Sequence, residues 1–185
     1  MPLVTQSGPD TLKIGAAAPD FNLPGTDGKN HTLASFAGAR ALVINFTCNH
    51  CPYAKAYEDR FIALAREFGP QGAAFIAISA NDVADYPADS FENMKLRATE
   101  KNYPFPYLYD ETQKTAIAHG AACTPHLFVF DPARKLAYEG RVDDNWKVPE
   151  AATAHDLRAA IEAVLAGKPV KTPQTNPMGC SIKWK

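Results

Sequence analysis

The apolar positions of this chain fall into short solid runs separated by stretches of helical spacing. Ala41-Leu42-Val43-Ile44-Asn45-Phe46 is almost wholly apolar and of strand length, which predicts a strand buried on both faces. Tyr57, Phe61, Leu64 and Phe68 then recur at three- and four-residue intervals, so a helix is predicted from Pro52 to Phe68, stopped by Gly69-Pro70. Residues 73–79, AAFIAIS, read as a second buried strand. The loop NDVADYPAD follows, with Asp82, Asp85, Tyr86 and Asp89 read as solvated residues that could at most shape an entrance, and then a helix over 90–101. Tyr103, Phe105, Tyr107 and Tyr109 alternate as in a short strand with core packing, and ETQKTAIAHG reads as a helix closed by Gly120. HLFVFD and KLAYEGRV predict an antiparallel hairpin turning at Asp131-Pro132, and residues 151–166 predict a last helix ended by Gly167. Upstream of all these, APDFNLPGTDGKNHTL predicts a short hairpin turning at residues 25–28.

The alternation of strands and helices implies an α/β domain, a mixed sheet with helices on both faces. The expected division is an extension over residues 1–13, the domain over 14–167, and a tail over 168–185 that docks through Ile182 and Trp184. A length of 185 residues suits one such core, and 46% hydrophobic with 21% charged residues is ordinary for a globular chain. The net charge of −1, without a basic run, gives no reason to expect nucleic acid as a partner. No apolar run approaches the roughly 20 residues of a membrane span. The opening MPLVTQSGPDTLKIGAAAPD lacks a basic segment followed by an apolar one, so the expected compartment is the cytoplasm. The pattern sets no oligomeric state.

That compartment changes the reading of the four cysteines. In a reducing cytosol, thiols are reactive or metal-binding more often than structural. Cys48 and Cys51 stand two residues apart where the first buried strand ends and the helix begins, and Pro52 suits the first helical turn. Free amides and the positive end of the dipole there favour a thiolate, bringing a pKa of about 8.5 toward 7 or lower. Cys48 is therefore the expected nucleophile and Cys51 the thiol that resolves its mixed disulfide. His50, between them, either stabilises a thiolate or merely faces solvent in the turn. Lys55 and Arg60 read as a solvated helix face.

IGAAAPDFNLPGTDGKNHTLASFAGARALVINF, the CxxC after it, and TPHLFVFD match in order the pattern of the thioredoxin-like superfamily, in its peroxiredoxin and thioredoxin-like branch, over residues 14–165. The C-N-H-C-P core and the G-C-S-I-K-W-K end resemble peroxiredoxin-like (AhpC/TSA-related) proteins. The resemblance implies a thioredoxin-like fold, a central mixed sheet flanked by helices with a peroxiredoxin-type N-terminal hairpin. It implies thiol–disulfide oxidoreduction, with an antioxidant role as one form of it. It also places Thr124-Pro125 at the family's cis-proline position, beside the dithiol, where backbone groups meet an incoming disulfide; read by itself, Pro125 is a loop-to-strand junction. No cofactor is implied. The implied partners are protein or small-molecule disulfides and a thiol reductant that the sequence does not name.

Two alternatives stay open. Ordinary peroxiredoxin chemistry uses P-x-x-x-(T/S)-x-x-C. Counting back from Cys51, the hydroxyl position holds Cys48 and the proline position Ile44; counting back from Cys48 gives Asn45 and Ala41. The family's arginine position holds Thr124-Pro125-His126, so only weak thiol peroxidase activity is compatible with the chain. The second alternative is a metal: Cys48-x-x-Cys51 and Cys123-x-x-His126 have spacings that suit tetrahedral zinc, and the resemblance adds copper, which some thioredoxin-like proteins bind through two cysteines and a distant histidine. Cys123 is otherwise a third redox thiol or a small buried hydrophobe. Cys180 is either a resolving thiol delivered by a folded-back tail, with Gly179 giving the bend, or a free thiol in a packed tail.

Overall fold

The computed structural model describes residues 10–185; most of the expected extension therefore lies outside the described residues. A short antiparallel hairpin, β1 (Asn22–Pro24) and β2 (Asn30–Thr32), turns at Gly25-Thr26-Asp27-Gly28 as the sequence predicts. Then come β3 (Ala41–Phe46), α1 (Pro52–Phe68), β4 (Ala73–Ser79), α2 (Phe91–Glu100), β5 (Tyr107–Tyr109) and α3 (Lys114–His119). The chain continues with β6 (Cys123–Thr124), β7 (His126–Phe130), β8 (Leu136–Gly140), α4 (Asp156–Leu165) and β9 (Cys180–Ser181).

Five strands form the central sheet in the order β5-β4-β3-β7-β8. β3 runs parallel to β4 and β4 to β5, while β7 pairs antiparallel with both β3 and β8. Every residue of β3 is buried because helices or loops cover both faces of the sheet, which is why its sequence is a solid apolar run rather than an alternation. Val43 and Val129 point to one side, where Tyr57, Phe61 and Phe68 of α1, Met94 of α2 and Ile161 of α4 complete a core. Leu42, Ile44, Phe46 and Phe128 point to the other, against Phe21 and Leu23 of the hairpin, Ala116 of α3 and Ile182 of the tail. This is the mixed α/β, thioredoxin-like arrangement, and it sets the β3–α1 junction at the C-terminal end of the central strand.

Some local expectations change. The helix expected over 151–166 begins only at Asp156. The Asp144 carboxylate accepts from Thr153 N (2.8 Å) and Thr153 Oγ1 (2.5 Å), and Asp144 N donates to Ala154 O, which holds that stretch out of the helix. The first long helix does end at Phe68, but Gly69 is still right-handed; a 3₁₀ turn runs over Gly69–Gln71 and the left-handed stop is Gly72. Among the aromatic residues 103–109, only Tyr107–Tyr109 forms a strand, although Phe105 and Tyr107 are core as expected.

The tail runs back across the domain in two docked pieces. Glu139 N donates to Pro173 O and Thr175 N to Glu139 O, along β8. Farther on, β9 pairs antiparallel with β6, placing Cys180 opposite Thr124 and Ser181 opposite Cys123. Both approaches depend on glycine. A Cβ at Gly140, whose φ is +144°, would collide with Thr175, and one at Gly179 would collide with the backbone of Thr124. Ile182 is buried as expected, whereas Trp184 is exposed, so the isoleucine and not the tryptophan anchors the end. Among the described residues, no helix is long and apolar enough to cross a membrane.

Candidate functional site

Cys48 lies in the turn after β3, and Cys51 caps the N-terminus of α1 with Pro52 in its first turn. Cys51 has an extended backbone (φ −64°, ψ 124°), the conformation a cap residue needs to bring its side chain under the first free amides. The facing wall is Thr124, joined to Pro125 by a cis peptide bond. Cys51 Sγ lies 3.1 Å from Thr124 O, and Cys48 Sγ lies 3.4 Å from Thr124 Oγ1. The structure thus brings together Cys48, Cys51, Thr124 and Pro125, which the sequence set 73 residues and more apart.

Cys180 joins them. It packs with Tyr53 against Cys48, Cys51 and Ala54, and its half-exposed side chain lies over sulfurs that are otherwise covered: Cys48 is 5% exposed and Cys51 0%. No disulfide is present among the four free cysteines.

The charge is unevenly shared. Cys51 is pulled down to about 4, first by the hydrogen bond from Cys48, with smaller help from Cys180 and from the amides of Ala54 and Cys180. Cys48 is pushed up, first because its proton is held by Cys51, then by burial and by the nearby Asp89 carboxylate. Two adjacent thiols that share one proton ionise as a pair. Within the pair the lowered pKa falls on Cys51, chiefly through its hydrogen bond with Cys48, and the amide of Ala54 at the helix start adds a smaller share. Cys180 is raised to about 12, first by burial and then by its contact with Cys51.

His50 does not face solvent freely, nor does it touch a sulfur in a hydrogen bond. Its Nδ1 lies 2.6 Å from Asp89 Oδ2 and its ring stacks on Tyr86 at 5.0 Å. Asp89 corrects the expectation of a solvated loop. It is fully buried, accepting at Oδ1 from the amides of Asn49 (2.7 Å) and His50 (3.2 Å), and at Oδ2 from Asn81 Nδ2 (2.8 Å). The carboxylate therefore fixes the turn that carries the dithiol. A short 3₁₀ segment, Pro87–Asp89, holds it in place; the only hint in the sequence is the Pro87 that starts this segment. Arg60 is also no solvated face residue: it grips the Asp143 carboxylate and the carbonyls of Asn145 and Trp146, fixing the loop whose Trp146 packs on Tyr53. Lys55 is exposed as expected.

The four residues of the metal alternative do not gather. Cys123 Sγ donates to Pro125 O (3.4 Å). His126 receives the Ala122 amide at Nδ1 (3.2 Å), so its ring proton sits on Nε2, 2.7 Å from Glu139 Oε2. Neither ring nitrogen is turned toward the dithiol. A different trio, Cys48, His50 and Asp89, has donor atoms within 4.8 Å of one another. Both oxygens of its carboxylate are already engaged by the hydrogen bonds just described, which is the signature of a structural anchor more than of an open ligand set.

Comparison with known proteins agrees with this architecture. The AhpC/TSA family matches residues 14–139. An uncharacterized conserved protein from Geobacillus kaustophilus is 45% identical, with a TM-score of 0.88 over 94% of this chain and 93% of that one. A hypothetical protein from Sinorhizobium meliloti 1021 is 39% identical, with a TM-score of 0.89 over 95% of this chain and 96% of its own. A thiol:disulfide interchange protein of the thioredoxin family from Chlorobium tepidum shares the fold at 17% identity, with a TM-score of 0.63 over 84% of this chain and 99% of that one. Comparison with the curated proteins returns no match. The family match covers more than half of the sequence and two structures align with it almost end to end: the chain belongs to the AhpC/TSA family.

Proposed function

We propose that the protein is a thiol–disulfide oxidoreductase whose redox couple is Cys48 and Cys51. One observation carries this reading: both sulfurs stand at the N-terminus of α1 against the cis Thr124–Pro125 wall, Cys51 Sγ 3.1 Å from Thr124 O and Cys48 Sγ 3.4 Å from Thr124 Oγ1, and the pairing of the two thiols lowers the pKa of Cys51. Cys48 is the more exposed of the two and is the attacking sulfur. As it attacks a disulfide R–S–S–R′, its proton passes to the Cys51 thiolate and R′S⁻ leaves. The departing thiolate takes that proton from Cys51. Cys51 then attacks the Cys48 sulfur of the mixed disulfide, releasing RS⁻ and closing the Cys48–Cys51 disulfide. A thiol reductant reverses the sequence. Thr124 and Pro125 form the wall along which the substrate backbone lies.

A peroxidase reading is weaker, because the hydroxyl and arginine positions of the ordinary peroxiredoxin pattern hold Cys48 and Thr124-Pro125-His126 here. The expected compartment remains the cytoplasm, and antioxidant service would follow from repairing protein or small-molecule disulfides.

The test is equilibration of the full-length protein in graded glutathione or dithiothreitol buffers, acid quench, alkylation and mass mapping. A Cys48–Cys51 disulfide that forms and reduces at a defined potential is the expected result. Both thiols staying fully alkylatable at every potential would overturn the reading. Zinc or copper retained through mild purification, and lost in Cys48→Ser, would favour the metal alternative instead.

A further inference from the structure

The segment that lies against the candidate substrate wall is the protein's own tail. β9 occupies the free edge of β6, the strand that ends at the cis Thr124–Pro125 bond, with Cys180 directly opposite Thr124. Thr124 is also the residue whose carbonyl oxygen lies 3.1 Å from the Cys51 sulfur. Any extended chain pairing with that edge would have to displace β9. The tail also brings a sulfur with it: Cys180 packs on the same small cluster as Cys48 and Cys51.

The seating of this tail is specific. Gly179 lies so close to the Thr124 backbone that a Cβ would collide with it, so only glycine permits this approach. Ile182 is buried in the core on the far side of the sheet from α1. Lys183 O accepts from Asp82 N (2.7 Å) and Gln113 Nε2 (2.9 Å), and Lys183 N donates to Asn81 Oδ1 (2.9 Å). Lys185 N donates to Gln113 Oε1 (3.0 Å). Anchors thus stand after Cys180, while Gly179 sets the turn before it. The thiol is held at one position, which is what intramolecular disulfide exchange requires.

We propose that Cys180 is a third redox thiol, which takes the disulfide over from Cys48 once the Cys48–Cys51 bond has formed. The inference rests on the dithiol reading above and extends it. In the exchange, the Cys180 thiolate attacks the Cys51 sulfur, the Cys48–Cys51 bond breaks, and the Cys51–Cys180 bond forms. Cys48 leaves as a thiolate and takes up the proton that Cys180 gave to solvent. No electrons are gained or lost overall, so the step needs no further oxidant. The oxidising equivalent is the substrate disulfide already consumed.

Two consequences follow. The disulfide moves from a buried pair to one that includes the half-exposed Cys180, within reach of an external reductant. The exchange is also gated by oxidation itself. While the dithiol is reduced, the Cys51 charge helps keep Cys180 protonated. Tying Cys51 into a disulfide removes that charge, so Cys180 becomes a better nucleophile just when there is a disulfide to attack.

The test is disulfide mapping of the full-length protein after oxidation by glutathione disulfide, with acid quench, alkylation and digestion at low pH. In the wild type, peptides linked Cys48–Cys51 and Cys51–Cys180 are both expected. Cys180→Ser should lose the second link and retain the first. Cys48→Ser should lose the first and accumulate the second. A Cys48–Cys51 link in the wild type, with Cys180 fully alkylated there and in Cys48→Ser, would overturn the relay while leaving the dithiol reading intact. Absence of any link would overturn both.

Discussion

Two buried polar clusters stand two residues apart on the chain, at Thr124 and His126, and they are built in opposite ways. Around His126 every donor has been matched to an acceptor. Ala122 N–H meets one ring nitrogen, Glu139 Oε2 faces the other, and Glu139 Oε1 accepts from Gln174 Nε2 at 2.5 Å. Around Thr124, three cysteine sulfurs crowd together, and the hydrogen bond between Cys48 and Cys51 lowers the pKa of Cys51. The first cluster is saturated and welds the early part of the tail to β8. The second is covered by a tail held through one short strand pair and backbone hydrogen bonds at Lys183 and Lys185, while its sulfurs keep no saturating set of partners. Residue types that ligate metals or run chemistry occur in both. What separates them is whether the protein itself has already satisfied each group.

The sharpest way to break this contrast is Cys51→Ser. Removing the ionised member should abolish disulfide formation with Cys48 and reduce exchange activity to background, read by a thiol-coupled disulfide reductase assay. It should also remove the thiolate absorbance, which in the wild type should persist as pH falls until about 4, since a depressed pKa keeps the group charged at every pH above it. Persistence of that absorbance in the variant would assign the charge to another sulfur.

His126→Leu should act on stability instead. It leaves Glu139 without the Nε2–H and the Ala122 amide without its acceptor, two buried groups whose loss of a partner costs about 1–3 kcal/mol each, measurable by urea unfolding. Its folded fraction should still form the Cys48–Cys51 disulfide, and loss of that disulfide in folded protein would join the two clusters functionally.

Gly179→Ala should have a smaller effect, confined to the tail. Overpacking against the Thr124 backbone costs about 1–3 kcal/mol, and each 1.4 kcal/mol is tenfold in the population of undocked tail. Alkylation of Cys48 and Cys51 should therefore speed up by roughly tenfold or more. An unchanged rate would mean that the tail does not guard the thiols.

Smallest should be Lys183→Ala. The ammonium lowers the Cys180 pKa through space and lies 5.5 Å from the Tyr86 ring centre. Exposed charges of this kind contribute about 0.2–1 kcal/mol, so Cys180 alkylation near neutral pH should slow by no more than a few-fold.

Much of the fold was readable in the chain. β3 and β4 announce themselves as solid apolar runs, because a strand covered on both faces can hold little else. Periodicity located α1 from Pro52 to Phe68, and residues 25–28 marked the hairpin turn. The dithiol could be read as well, since two cysteines flanking a strand-to-helix junction are a local feature. Less visible was whatever depended on a partner distant in sequence. Asp89 looked like one more acid in a polar loop until the turn at Asn49 and His50 was folded onto it. Arg60 looked solvated until the loop at 143–146 closed over it. The start of α4 was misplaced because Asp144, outside the helix, holds Thr153 and Ala154 extended.

By itself the sequence determined the α/β class, the order of the elements and the presence of a cysteine pair at the head of a helix, because these follow from spacing and from local chemistry. Only the tertiary structure decided that both sulfurs face Thr124, that His126 is turned to Glu139 and away from the thiols, and that Cys180 lies over Cys51. Each of those depends on which groups meet across 70 or more residues or across the face of a strand, and such encounters are set by packing rather than by pattern.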